Sequence, residues 1–218
     1  MNTSHHLPVR HDTATVHIRP GLENASIIGR SGTPGLVHVD AARHRPDLRR
    51  RGGQPPGVTV RYPRVTFSRT APSQLVLDTG PCWEIAVAGG MSRCELHLDT
   101  LEVGALRVSG GIADTRIDLP RPRTTVPIDL GDCADVTIRL ADDTTARVEI
   151  ERGAHALEIG DRHVGACRGP AVFDIGDPDA STECYTIRLR SAHRTTIGHG
   201  RGDGRDDGRS RDEGVQPC

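Results

Sequence analysis

The residues that could carry chemistry recur at a constant spacing in this chain of 218 residues. His97, Asp118 and Arg139 hold equivalent positions in three similar segments, and Glu95 lies just before His97. If these segments stack, the side chains form an outward row, with about 5 Å between neighbours. A carboxylate or imidazole beside a cation can act as a general base, as on the exposed sheets of β-helix lyases and hydrolases. The alternative, which the sequence favours, is a ladder of opposite charges on a solvated face.

Histidine and cysteine side chains near the end of the repeats form a second group of candidates. His155, His163 and Cys167 have the spacing H-x7-H-x3-C. This spacing matches no common structural zinc site, and none of the six cysteines forms a C-x-x-C pair. Cys94 and Cys133 take repeat positions held elsewhere by Thr or Ile, which favours packing over nucleophilic catalysis. We therefore predict no metal, no cofactor and no catalytic residue.

The densest basic patch lies in the segment RHRPDLRRRGGQPPG, residues 43–57. Its Arg, Pro and Gly content predicts a surface loop. Arg49, Arg50 and Arg51 are candidates for contacts with nucleic-acid phosphates or with an acidic partner. The net charge is only −1 and aromatic residues make up 2 % of the chain, too few for base-stacking platforms. A solvated loop is therefore the favoured interpretation.

The pair Gly89-Gly90 raises the possibility of a phosphate-binding loop. No G-x-G-x-x-G or G-x-x-x-x-G-K-[ST] pattern is present, and no helix pattern follows the pair. All 28 basic residues are Arg, which also excludes a P-loop lysine and a Schiff-base lysine. A tight turn that leads into a strand is the better interpretation.

The elements that would position these groups form an internal repeat. Four small-residue turns follow one another at intervals of 21: Gly89-Gly90, Gly110-Gly111, Gly131-Asp132 and Arg152-Gly153. The strands CELHL, TRIDL and VTIRL follow the first three turns, with Leu96, Ile117 and Ile138 in one phase. The strand before the third turn slips by one residue, which indicates a bulge or a shortened turn. Each unit is too small to bury its own apolar side chains, so stacking is required.

Apolar residues elsewhere alternate with polar ones, and helix patterns are nearly absent, so the predicted fold is all-β and solenoid-like. We expect disorder over 1–12 and in the Gly/Arg/Asp tail 199–218, with a single domain over 13–198 between them. Within it, 13–80 is expected to form irregular first coils and a cap, and 81–198 the regular repeats. A further copy, TIRLRSAHRTTI (186–197), follows an insertion after the fourth turn.

The residues WEIAVAGGMSRCELHLDTLEVGALRVSGGIADTRIDLP and the copies that follow resemble the "toastrack" β-solenoid family, also called "putative adhesin" domains. Members repeat a Gly-Gly-Ala-Ser type of turn and then a strand that ends near Leu-Pro, as in Leu119-Pro120 here. Such domains occur at the C-termini of envelope-stress membrane proteins of the LiaF type and in many actinobacterial proteins. The resemblance covers about residues 58–197. It implies a β-solenoid without catalytic residues that serves in sensing or in protein–protein interaction.

The sequence therefore predicts a non-catalytic scaffold or interaction module with a protein partner, in stress sensing or regulation. No apolar window suits a signal peptide or a membrane span, which predicts the cytoplasm. Self-association through the solenoid ends is a further expectation. The alternatives are an enzyme that acts on an extended substrate through the row His97, Asp118 and Arg139, and a nucleic-acid-binding module that uses the Arg43–Arg51 loop.

Overall fold

The computed structural model describes residues 13–33, 35–41, 46–52, 55–62 and 72–200. Of the segments expected to be disordered, 1–12 and 201–218 lie outside these ranges, whereas His199 of the expected tail 199–218 is the last residue of a strand. The described residues form eighteen strands and one 3₁₀ turn at Pro178–Ala180, without an α-helix, as the alternating pattern predicts. The strands are β1 (Thr13–Arg19), β2 (Leu22–Glu23), β3 (Ala25–Arg30), β4 (Val37–Ala41), β5 (Asp47–Arg51), β6 (Gly57–Arg61), β7 (Ser73–Asp78), β8 (Cys82–Val87), β9 (Met91–Ser92), β10 (Glu95–His97), β11 (Glu102–Val108), β12 (Ile112–Asp118), β13 (Val126–Leu140), β14 (Thr145–Ile150), β15 (Gly153–Ile159), β16 (Arg162–Arg168), β17 (Ala171–Ile175) and β18 (Cys184–His199).

Each coil of this solenoid bends around one continuous core. In the coil β8–β10, a six-residue strand leads to a glycine turn, then to the short β9 and finally to β10. Leu96, Ile117 and Ile138 are paired across β10, β12 and β13 and are all fully buried. Burying such a side chain contributes about 1.5–3 kcal/mol. The predicted ladder of Leu and Ile therefore holds successive coils together.

The coils stack as parallel strands in an order that differs from the chain order. The spatial order is β6–β7, β1–β3, β8–β10, β11–β12, β13, β18 and β14–β15. We call the outer surface of the long strands (β6, β1, β8, β11, the first half of β13, the first half of β18, and β14) face A. The outer surface formed by β7, β3, β10 and the later parts of β12, β13, β18 and β15 is face B.

The fourth repeat does not stack directly on the third. β18 lies between them, because Leu130 of β13 pairs with Leu189 of β18, which in turn pairs with Ile150 of β14. The insertion that precedes β18 lets the chain fold back between two earlier coils. Since β18 has the same inward phase as its neighbours, the core continues through it without a break.

Antiparallel strands finish both ends of the stack. β5 pairs with β6 and β4 pairs with β7 at one end, while β17 pairs with β14 and β16 pairs with β15 at the other. The surface loop predicted over 43–57 is therefore wrong for Arg49, Arg50 and Arg51, which lie in β5. Leu48 packs against the core and anchors this strand. Among the described residues β5 is an edge strand, and charged side chains are typical of such strands.

Glycines allow the coils to approach closely at the turns. A Cβ on Gly110 would lie 2.5 Å from backbone atoms of Gly89 and Gly90, and one on Gly131 would lie 2.0 Å from the Gly110 oxygen. Gly21, in the coil β1–β3, begins this column of stacked turn glycines. The sequence analysis did not identify that coil as a copy of the repeat. Gly153 does not continue the column, because its nearest neighbours belong to the end strand β16 and the turn after it.

The slip predicted at the third repeat is a shortened turn. Val108 pairs with Leu130 and Ile112 pairs with Cys133, so three residues lie between Val108 and Ile112 and two between Leu130 and Cys133. A separate bulge lies at Gly104, where the register of β11 against β8 shifts. These irregularities absorb the change in spacing without turning inward residues outward.

Candidate functional site

The candidate interaction surface is a cleft on face A that small outward side chains create. Ala86, Ala88 and Ser109 have short side chains, whereas the neighbouring strands carry longer ones such as Arg107 and Arg188. The protein surface is therefore lower along this line. The cleft has a volume of about 420 Å³. Its lining comprises Ala86, Val87, Ala88, Arg107, Val108, Ser109, Asp129, Leu130, Gly131, Glu151, Arg188 and Arg190. An apolar floor with charged residues around it is the composition of a binding surface.

Alternating charges cross this cleft from strand to strand. Arg107, Asp129, Arg188 and Glu149 form one row, because their strands pair in register. The Arg188 guanidinium lies 3.0 Å from Glu149 and 3.4 Å from Asp129, whereas Arg107 Nε is 3.5 Å from Asp129. The pKa of Arg188 is raised, mainly by its hydrogen bond to Glu149. These ion pairs link the long side chains of neighbouring strands at the border of the cleft.

A second cleft of about 320 Å³ continues the first toward the β5 end of face A. Ala86 and Arg107 line both, while His17, Arg51 and Glu84 belong to the second alone. Arg51 lies 3.3 Å from Nε2 of His17. Burial, followed by the charges of Arg51 and Arg19, lowers the pKa of His17. The His17 imidazole thus lies beside the Arg51 guanidinium on one continuous surface.

The structure brings His97, Asp118 and Arg139 side by side on face B, in adjacent strands. His97 Nδ1 lies 3.0 Å from Asp118, and His97 Nε2 lies 3.2 Å from Glu95. Nε of Arg116 donates to both oxygens of Asp118, at 2.8 and 3.0 Å. Both ring nitrogens of His97 therefore lie within hydrogen-bond distance of a carboxylate. Neither cleft of face A is lined by any member of this row.

The basic candidates lie at one end of the solenoid. Arg49 Nε donates to Asp47 at 2.7 Å, and Arg51 contacts His17. Arg50 faces the same side as the buried Val58, with which it pairs. Arg43, together with His44 and Arg45, lies outside the described residues.

A row of left-handed residues at the corner between the two faces was missed by the sequence reasoning. Six coils place a residue with φ between 45° and 56° at the same position. These residues are Asn24, Arg93, Asp114, Asp135, Arg194 and Ala156. Arg93 pairs with Glu23 and Arg194 with Asp135, which lowers the pKa of Asp135 chiefly through the hydrogen bond. The recurrence of Arg93, Asp114 and Asp135 at intervals of 21 was the available signal.

His155, His163 and Cys167 do not converge. In the hairpin β15–β16, His163 lies opposite Glu158 and Cys167 lies opposite Ala154, while the ring of His155 stacks on His193 at 5.3 Å. In the part of the chain that the structure describes, no three His, Cys, Asp or Glu residues are grouped as metal ligands.

The repeat-position cysteines are buried packing residues. Cys94 and Cys133 are 1 % and 3 % exposed. Burial raises the pKa of the Cys133 thiol to about 12, and it also raises that of Cys94. Thiols held in the protonated form are poor nucleophiles.

The fold defines an all-β, solenoid-like protein with a charged cleft on one face. No family model matches the chain, and no curated protein matches its sequence. The fold is similar to the crystal structure of a "putative cell adhesion protein" from Clostridium sporogenes, at a TM-score of 0.58 and 12 % sequence identity. The match covers 87 % of this chain and 93 % of the other. Among the described residues, no helix is long and apolar enough to cross a membrane.

Proposed function

We propose that this chain is a non-catalytic interaction module, which binds a partner protein along face A. The observation that carries the proposal is the cleft at Ala86, Ala88 and Ser109, where an apolar floor is bordered by the fixed charges of Arg107 and Arg188. A rigid face of parallel strands holds these groups in place before a partner arrives. Preorganisation of this kind lowers the entropy cost of association.

The alternating row on face A indicates what the partner's surface must contain. Arg107, Asp129, Arg188 and Glu149 present both signs within a few strands, so a partner of uniform charge would meet repulsion at every second position. A protein surface with mixed charges and a small apolar projection fits this arrangement. The neighbour described as a "putative cell adhesion protein" supports a function in protein interaction.

The enzyme alternative has less support. The pair His97–Asp118 resembles an oriented base, but a second carboxylate, that of Glu95, lies 3.2 Å from the other ring nitrogen. A general base needs one nitrogen within reach of the substrate proton.

The role in stress sensing or regulation is supported by the family resemblance alone. We propose the cytoplasm as the location, because the five described cysteines are free thiols, the form that a reducing compartment maintains. Fractionation of cells that express a tagged chain tests this placement.

The test is capture of partners from native lysate by the immobilised chain, followed by mass spectrometry. Ala86→Arg fills the face A cleft, and Thr137→Arg introduces the same side chain on face B as a matched control. We expect the partner to be retained by the wild type and by Thr137→Arg and lost with Ala86→Arg. A protein partner that still binds Ala86→Arg would refute the assignment to face A. Salt-sensitive capture of RNA or DNA, abolished when Arg49, Arg50 and Arg51 become Ala, would refute the protein-module proposal.

A further inference from the structure

Both ends of the solenoid present strands that have one unpaired edge. Within the described ranges, β5 pairs only with β6 and β17 pairs only with β14, on face A. On face B, β4 pairs only with β7 and β16 only with β15. An unpaired strand edge is a template for a further strand.

The two ends carry opposite charge on face A. β5 contains Arg49, Arg50 and Arg51 against a single Asp47. At the other end, Asp174 in β17 and Asp179 just beyond it both accept hydrogen bonds from Arg147, at 3.0 and 2.8 Å. Asp177 adds a third carboxylate at this end, where it caps the 3₁₀ turn. On face A, one end is therefore mainly basic and the other mainly acidic, whereas β16 on face B carries Arg162 and Arg168.

The rows of outward residues end in complementary groups. On face A, Arg51 begins the row that runs through Gly57, Thr15 and Glu84, and Asp174 ends it beyond Arg147. On face B, one row likewise begins at Asp40 and ends at His163.

An apolar side chain lies at the acidic end of a third row. Val172 is 61 % exposed. It lies at one end of the row that contains Glu149, Arg188 and Asp129, and Arg49 lies at the other end of that row. A copy of the chain stacked on this end would place the aliphatic part of Arg49 beside Val172. Arginine stems cover apolar surface in this way while the guanidinium stays in water.

We propose that copies of this chain assemble head to tail, with β17 and β16 of one copy adding to β5 and β4 of the next. All four strands run antiparallel to the strands of the coils, so each new pair would be parallel and both faces would continue across the junction. Contact between two basic ends would bring two sets of Arg49, Arg50 and Arg51 together, so pairing of like ends is opposed. Because the two surfaces differ, each copy keeps one end open and the assembly extends into a filament. This contact uses the ends and does not depend on the function proposed for face A.

Sedimentation velocity and light scattering of the full chain test this proposal across a range of concentrations. The average mass of the wild type is expected to rise with concentration at about 0.05 M salt and to fall at about 0.5 M salt. Arg51→Glu alone, or Asp174→Arg alone, is expected to weaken the association about tenfold. Arg121→Glu, on an exposed loop away from both ends, is the matched control and should assemble like the wild type.

Mixing the two end variants gives the decisive result. An equimolar mixture of Arg51→Glu and Asp174→Arg again joins opposite charges at every junction, so assembly should return. Circular dichroism confirms that each variant is folded. A wild type that stays monomeric or stops at a dimer would overturn the proposal. So would variants that assemble normally, or a mixture that fails to recover.

Discussion

Substitution of two adjacent glycines by alanine tests the close packing of the coils. A Cβ on Gly110 would lie 2.5 Å from the carbonyl carbon of Gly89 and 2.5 Å from the nitrogen of Gly90, distances that real Cβ atoms do not reach. The atoms in the way are backbone, which cannot rotate aside. A Cβ on Gly111 would have the Asp132 oxygen as its nearest neighbour, at an ordinary 3.7 Å.

The two substitutions should therefore have effects of opposite sign. Gly110→Ala forces neighbouring coils apart, and overpacking of this kind costs about 1–3 kcal/mol of unfolding free energy. Gly111→Ala meets no clash and reduces the entropy of the unfolded chain, which stabilises by about 0.4–1 kcal/mol. We expect a difference of roughly 1.4–4 kcal/mol between the variants. At about 2–4 °C per kcal/mol for a chain of this size, Gly110→Ala should melt at least several degrees below Gly111→Ala.

Thermal and urea unfolding, followed by far-ultraviolet circular dichroism, measures this difference. Both variants change the same residue type in one turn, so effects on strand propensity and hydrophobicity cancel. Melting points that agree within a degree would refute the conclusion that the glycine column sets the coil spacing. A more stable Gly110→Ala would refute it more strongly.

Two further predictions concern a buried hydroxyl and a histidine. Tyr185 is fully buried and its hydroxyl donates to the Pro120 oxygen at 2.7 Å, so Tyr185→Phe should cost about 1–3 kcal/mol in urea unfolding. An unchanged midpoint would contradict this. The pKa of His17 lies below 6.5 in the folded chain, so folded protein binds a proton less readily than unfolded protein. Stability should therefore be present above pH 6.5 and decrease as the pH falls below it, and His17→Gln should weaken that decrease. Parallel stability–pH profiles of wild type and variant would contradict the assignment.

The repeat spacing predicted the coil but not the order of the coils. Leu96, Ile117 and Ile138 face inward and pair as their spacing indicates. Yet any two coils whose buried residues hold equivalent positions can pair as parallel strands. Sequence similarity between the repeats therefore does not determine which coils are neighbours. Only the tertiary structure shows that Leu189 lies between Leu130 and Ile150.

The end strand β5 was hidden for a different reason. Arg49, Arg50 and Arg51 lie close to Pro and Gly residues, a composition typical of loops. An edge strand needs little apolar character, and here Leu48 alone packs against the core. The cleft at Ala86 was equally hidden, because a small residue in an alternating strand gives no indication of the longer side chains that flank it in space.

The position of β18 in the stack affects the order in which the strands can pair while the chain is synthesised. Residues 184–199 leave the ribosome after residues 145–159, yet they pair with both β13 and the coil β14–β15. Vectorial folding can therefore add coils one at a time only as far as β13. The coil β14–β15 and its antiparallel strands wait without their parallel partner until the last segment is synthesised. β18 therefore joins β13 to the coil β14–β15, and the parallel stacking of these coils can form only after residues 184–199 have been synthesised.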